Sequence, residues 1–185
     1  SVAVVFHSGF GHTERQAVAV ADGAAQHAEA RLINVETISD ADWQALDSAD
    51  AIIFGSPTYM GSVSAPFKQF MDDSSKRWME QRWRNKVAAG FTNSGSYSGD
   101  KLHVLTTLVI YACQHSMIWV GNDIMPPTPE DGLNAQPEQL NRMGSFLGAM
   151  AQSGNAPPEE TPSAGDLATG SALGERVARL AAKLA

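Results

Sequence analysis

Residues 2–26 read VAVVFHSGFGHTERQAVAVADGAAQ, and this stretch decides the fold. Val2 to Phe6 is an unbroken apolar run rich in β-branched residues, the pattern of a strand buried on both faces. Ser8-Gly9-Phe10-Gly11 then breaks the run. From His12 to Gln26, Ala17, Val18, Ala21, Ala24 and Ala25 fall on a helical stripe. A buried strand turning through a glycine loop into an amphipathic helix is the opening unit of a parallel α/β sheet.

The same alternation continues outward. Strands are predicted at Arg31–Val35, Ala51–Phe54, Val87–Phe91 and Met117–Val120. Helices are predicted at Asp40–Asp47, from Pro66 to about Gln81, and at Asp100–Cys113 with Leu102, Leu105, Leu108 and Val109 inward. A further helix is expected at about Pro137–Ala151, and a closing one at Asp166–Leu184. Five strands separated by helices predict a doubly wound parallel sheet covered on both faces. The chain is read as a single domain over residues 1–185, with an insertion at about 122–165. Asn122–Gln136 and Gly154–Gly165, rich in Pro, Gly, Asn and acidic residues, are expected as long loops flanking the helix within it. Loops of that length in a compact domain are usually functional or mobile.

Composition narrows the class. Hydrophobic residues are 43% and charged residues 18% of 185, a globular balance. No apolar run approaches the roughly 20 residues of a membrane span. A first strand starting almost at Ser1 leaves no room for a signal peptide, and the one cysteine, Cys113, suits a reducing compartment. A cytoplasmic protein is expected, with Cys113 as a buried structural thiol. The net charge of −7 argues against a nucleic-acid partner. Lys76, Arg77, Arg82, Arg84 and Lys86 supply five of the 13 basic residues. They form either a solvated helix face or a rim that attracts a phosphorylated ligand.

In an open α/β sheet, ligands bind beyond the C-terminal ends of the strands. Three loops meet that condition. Ser8-Gly9-Phe10-Gly11-His12-Thr13 puts two glycines and two hydroxyls at a helix N-terminus, where free N–H groups and the dipole favour an anion. It lacks the Gly-Lys-Ser/Thr of a P-loop, and Glu14 stands where a dinucleotide fingerprint needs its third glycine. Glu36, ending the second strand, could pose as a ribose-binding acid. The loop by itself supports either a phosphate site or a plain helix cap. Ser56-Pro57-Thr58-Tyr59-Met60-Gly61-Ser62 follows the third strand and offers an aromatic edge. Thr92-Asn93-Ser94-Gly95-Ser96-Tyr97-Ser98-Gly99 follows the fourth. Its Gly-Ser-Tyr-Ser-Gly core has Tyr97 where a hydrolase elbow needs serine. Together the loops suggest a site for a planar ring carrying a phosphate. No His, Cys or carboxylate group has metal-ligand spacing, so no metal is predicted.

These loops, with Asp50–Tyr59, resemble the flavodoxin-like superfamily. Within it they are most similar to the tryptophan-repressor-binding-protein-type (WrbA-type) NAD(P)H:quinone oxidoreductases, over Val2 to about Gly121 and in the closing helix. The resemblance implies a flavodoxin-like three-layer α/β sandwich with strand order 2-1-3-4-5, non-covalent FMN, NAD(P)H as electron donor, a quinone-like planar acceptor, and a homodimer or homotetramer. It implies that Ser8, Phe10, Gly11, His12 and Thr13 hold the phosphate and that Pro57, Thr58, Tyr59, Met60 and Gly61 lie beside the flavin ring. Ser94, Gly95, Ser96, Tyr97 and Gly99 would lie on its pyrimidine side, and Phe10, Trp78 and His115 at the substrate pocket. The family's His-His-Gly-Met is here Gln114-His115-Ser116-Met117. His115 on its own reads either as a flavin-edge contact or as a helix terminus satisfying its own carbonyls.

Because the flavin carries the chemistry at N5, few catalytic side chains are expected. Two rival functions remain at this level. One is a flavodoxin-type single-electron carrier that docks to protein partners. The other is an FMN-binding scaffold that regulates a partner without turnover.

Overall fold

A computed structural model describes residues 1–128 and 135–184. Its strands are β1 (Val2–Phe6), β2 (Ala30–Asn34), β3 (Ala51–Tyr59), β4 (Ser62–Val63), β5 (Val87–Ser94), β6 (Ile118–Trp119) and β7 (Ala149–Gln152). Its helices are α1 (His12–Ala25), α2 (Asp40–Ser48), α3 (Ala65–Asp73), α4 (Ser75–Met79), α5 (Lys101–Gln114) and α6 (Ala164–Leu184). The long path of the sheet runs β2-β1-β3-β5-β6, all parallel.

Seven strands form where five were expected, for two reasons. First, β3 continues past Phe54 to Tyr59 and folds back as β4 through Met60 (φ 47°) and Gly61 (φ 78°), both left-handed, as a two-residue type I′ hairpin requires. Second, one edge of β5 is shared between two segments. β6 pairs with Val87 and Ala88, whereas β7 pairs with Phe91 to Ser94.

The helix expected at Pro137–Ala151 therefore does not exist: turns occupy its first part and β7 its end. Ala149-Met150-Ala151 has good helical propensity, but the open edge of β5 offers four residues of backbone pairing, and tertiary context overrides propensity. Gly148 makes the approach possible, since a Cβ there would sit 2.2 Å from the Gly90 carbonyl oxygen. Part of the predicted Asn122–Gln136 loop, residues 129–134, lies outside the described residues.

Alternation along β1 divides the core. Val2, Val4 and Phe6 face α1 and α6, while Ala3 and Val5 face the side built from Leu46, Phe67, Phe70, Trp83, Leu105 and Leu108. The long helix expected from Pro66 breaks at Ser74, whose hydroxyl donates to the Met71 carbonyl and accepts from the Tyr111 hydroxyl. On α5 the buried face is Val104, Leu105, Leu108, Tyr111 and Ala112. Leu102 and Cys113, both expected inside, are instead exposed on the far side of the helix. No described helix is long and apolar enough to cross a membrane.

Helices α1 and α6 cross almost backbone to backbone. A Cβ at Gly23 would lie 1.9 Å from the Ser171 carbonyl oxygen, and one at Gly174 would lie 1.9 Å from that of Val20. Intrinsic propensity would reward Gly174→Ala by about 1 kcal/mol. Crowding against the Val20 carbonyl reverses the sign, and a net loss of about 2 kcal/mol is expected in urea unfolding. Alanine at exposed Arg179 serves as a control and should stay within about 0.5 kcal/mol of wild type.

Candidate functional site

At the C-terminal ends of β1, β3, β5 and β7 the structure holds a cleft of 490 Å³, within the range of small-molecule sites. Its first wall is the turn into α1. Gly11, the N-cap, takes φ 88°, donates its N–H to Ser8 Oγ at 3.1 Å, and has no side chain to cap the helix. The first-turn amides of α1 therefore face the loop without an intrahelical acceptor. Ser8, Phe10, His12 and Thr13 line the cleft here. The second wall is Pro57, Thr58 and Tyr59. Thr58 Oγ1 bonds Thr92 Oγ1 at 2.8 Å, tying the ends of β3 and β5. The Tyr59 hydroxyl meets Gly9, where a Cβ would approach it to 2.6 Å. Burial raises the Tyr59 phenol above its ordinary pKa, so it stays neutral at pH 7. Phe10, 74% exposed, meets Tyr59 edge to face at 6.2 Å, and the pair forms an aromatic lip.

The third wall is Asn93, Ser94 and Gly95 at the end of β5. The fourth is a strap, Ser153–Pro158, that follows β7. Ser153 N–H donates to the Ser94 carbonyl and Gly154 N–H to that of Gly95, at 3.0 and 3.1 Å. His12 Nε2 donates to the Ala156 carbonyl at 2.8 Å, and the Arg15 guanidinium donates to that of Pro158. Pro158 closes over Gly11, where a Cβ would stand 3.0 Å from its ring.

Asn93 and the strap are the site residues that sequence reasoning missed. Asn93 looked like loop because β5 runs three residues beyond the apolar run that announced it. The strap falls almost wholly within the loop expected at Gly154–Gly165, and what the sequence does not show is that β7 before it carries that loop along the cleft.

Other expected residues stand apart from the cleft. Met60 and Gly61 form the hairpin turn and hold Tyr59, with the Met60 side chain in solvent. Tyr97 leans away: its hydroxyl donates to the Arg142 carbonyl at 2.8 Å and its ring lies under the Arg142 guanidinium. Ser96 contributes its carbonyl to Lys101, and Gly99 (φ 55°) leaves room for Ser94 Oγ, 2.2 Å from where a Cβ would be. His115 is 1% exposed; its Nε2 bonds Ser74 Oγ at 3.0 Å and its ring packs on Trp83 and Tyr111. Burial in that aromatic nest lowers its pKa to about 4, so it is neutral at pH 7. Trp78 follows the break at Ser74 on α4, beyond the far end of α3. Neither Trp78 nor His115 lines this cleft. Glu36 faces His7 Nε2 at 3.5 Å rather than the cavity.

The basic stretch lies at the opposite end of the sheet. Arg77, Arg82 and Trp83 Nε1 all donate to the Asp47 carboxylate at the end of α2, and Lys86 donates to the Asp47 carbonyl. Lys76 and Arg84 are exposed on the surface, and none of the five basic residues lines the cleft.

Among the described residues no Asp, Glu, Lys or Arg lines the cleft. Two unsatisfied sets face it: the uncapped amides of α1, which want an acceptor, and Asn93 Oδ1, a buried acceptor with no partner. A flavin mononucleotide fits both, with a phosphate for the amides and ring N–H chemistry for the asparagine.

Comparison with known proteins gives the family. The chain is 43% identical to a crystal structure described as a flavodoxin, WrbA-like protein from Agrobacterium tumefaciens, with TM-score 0.80, covering 100% of this chain and 98% of that one. It is 40% identical over 184 residues to a protein named Flavodoxin FldP from Pseudomonas aeruginosa, covering 98% of this chain and 96% of that protein. It is 35% identical over 206 residues to an NAD(P)H dehydrogenase (quinone) from Archaeoglobus fulgidus, covering 99% and 98% respectively. Residues 9–127 match the family described as NADPH-dependent FMN reductase. The chain belongs to that family, on its WrbA-type, flavodoxin-like branch of FMN- and NAD(P)H-dependent oxidoreductases.

Proposed function

We propose that this chain binds FMN non-covalently in the four-walled cleft and passes two electrons from NAD(P)H through it to a quinone-like acceptor. The observation that carries the reading is the uncapped N-terminus of α1, presented to a cleft without charged side chains and roofed by the Phe10–Tyr59 lip. A phosphate there is held by neutral donors, which suits a ligand whose phosphate is an anchor rather than a reacting group.

When bound, FMN would supply the redox chemistry, two-electron exchange between the nicotinamide and the acceptor. The protein's share is binding and orientation. Amides of the first turn of α1 with Ser8 and Thr13 would hold the phosphate, Thr58 and Asn93 would address polar ring atoms, and Phe10 and Tyr59, set edge to face, would form an aromatic lip beside the ring. Among the described residues no carboxylate or ammonium group lines the cleft, so the protons that turn a quinone into a quinol would come from solvent or by way of His12. The outer face of α5 leaves Leu102 and Ile110 exposed two turns apart, which supports assembly as a homodimer or homotetramer.

A second reading, an electron carrier that docks to protein partners, is favoured by the FldP relative and by the net charge of −7. Anaerobic addition of NADPH to the FMN-loaded protein separates the two. Rapid bleaching of the flavin absorbance, with quinone turnover following, is expected; a flavin that is retained but does not bleach would leave the carrier reading standing.

Two substitutions test the site itself. Thr58→Trp should fill the cleft and weaken FMN binding at least about tenfold with folding unchanged, and equal affinity would count against the assignment. Gly11→Ala forces a side chain into φ 88° and against Pro158. FMN retention should fall by a similar factor, read by quenching of flavin fluorescence on titration.

A further inference from the structure

Behind the third wall of the cleft lies a buried cation that no part of the mechanism above uses. Lys101 opens α5 and is 0% exposed. Its ammonium group donates to Ser94 Oγ at 2.9 Å and to the carbonyls of Ser96 and Tyr97 at 2.8 Å each, which spends all three of its protons. All three acceptors belong to one turn, and all are neutral. Lysine is almost never fully buried without a pairing anion. Here no carboxylate reaches it among the described residues. The ionisable groups that face it are Asp166 of α6 and Arg142 of the turns before β7, which act on it in opposite senses and are bonded to each other at 2.7 Å.

We propose that Lys101 is a positioning residue for the cleft: it fixes the Ser94–Gly95 wall in its ligand-ready shape and holds an unneutralised positive charge behind that wall which an anionic ligand compensates. The mechanical part follows from connectivity. Ser94 and Gly95 line the cavity, and their carbonyls carry the strap through Ser153 and Gly154. Releasing Lys101 therefore loosens the third wall directly and weakens one anchor of the strap, which His12 and Arg15 also hold. The electrostatic part follows from burial, because a charge in low dielectric attracts a nearby anion more strongly than a solvated one does. FMN is such an anion, so this inference rests on the reading of the cleft as an FMN site.

Desolvation lowers the Lys101 pKa from 10.5 to about 8, which gives the idea a signature in an accessible range. A ligand that needs the ammonium form should bind less well once the proton leaves, by up to about tenfold between pH 7 and 9. Stability of the free protein should move the other way. Between pH 8 and 10.5 the unfolded chain holds a proton that the buried amine has shed, so wild type gains stability relative to Lys101→Met as pH rises.

The test is FMN titration by fluorescence quenching from pH 7 to 9 on wild type and Lys101→Met, with amide hydrogen exchange of Gly95–Gly99 in both ligand-free proteins. Expected are a dissociation constant raised at least about tenfold by the substitution at pH 7, a gap that narrows towards pH 9, and faster exchange in the variant loop. A flat wild-type profile overturns the proposal whether or not the variant folds. Equal affinity and equal exchange in a folded variant overturn it as well, while leaving the FMN reading intact. Wild type that binds no FMN at any pH overturns the reading of the cleft, and with it the charge argument built on that reading.

Discussion

One edge of one strand governs this molecule. β5 is eight residues long, buried throughout, and its outer edge has to be hydrogen bonded, because unpaired backbone groups in a core cost far more than they do in water. Among the described residues no single strand of the right length follows it in the chain. The edge is instead completed by two short segments, Ile118–Trp119 below and Ala149–Gln152 above. That division is what turns the chain leaving β7 across the top of the sheet, where Ser153–Pro158 becomes a wall of the cleft. Satisfying the backbone of β5 and building the ligand site are one event.

The same geometry sets the electrostatics. Charged side chains are kept off the cleft surface: Arg77, Arg82 and Lys86 converge on Asp47 beside the N-terminal ends of β3 and β5, and among the described residues no Asp, Glu, Lys or Arg lines the cleft at the C-terminal ends. The lining there is backbone, hydroxyls, aromatic rings and the asparagines Asn93 and Asn155, with the N-terminus of α1 opening onto it and Lys101 buried behind one wall. Under the proposed function such a site would hold an anion with neutral donors alone.

Much of this was legible in the chain because it is local. The run Val2–Phe6, the glycines of the first loop and the aromatic Tyr59 after Pro57 each carry their meaning within ten residues. What escaped depends on partners distant in sequence. Ala149–Gln152 looks helical until β5 is placed beside it, and Asn93 looks like loop until the strand is seen to run on. Leu102 and Cys113 share a helix with true core residues and differ from them by a rotation of the stripe that composition does not reveal. His115 and Trp78 sit near family landmarks in sequence, yet the break at Ser74 and the aromatic nest around Trp83 place them away from the cleft.

The near-contact of α1 and α6 through Gly23 and Gly174 has a temporal consequence. Helix α1, whose N-terminus lines the cleft, is made well before α6, the helix that seats it. Until residues 164–184 have emerged, one face of α1 has no neighbour, and a chain with its partners so far apart in sequence folds slowly. Until then the nascent chain displays the apolar stripe of α1 beside an unfinished cleft.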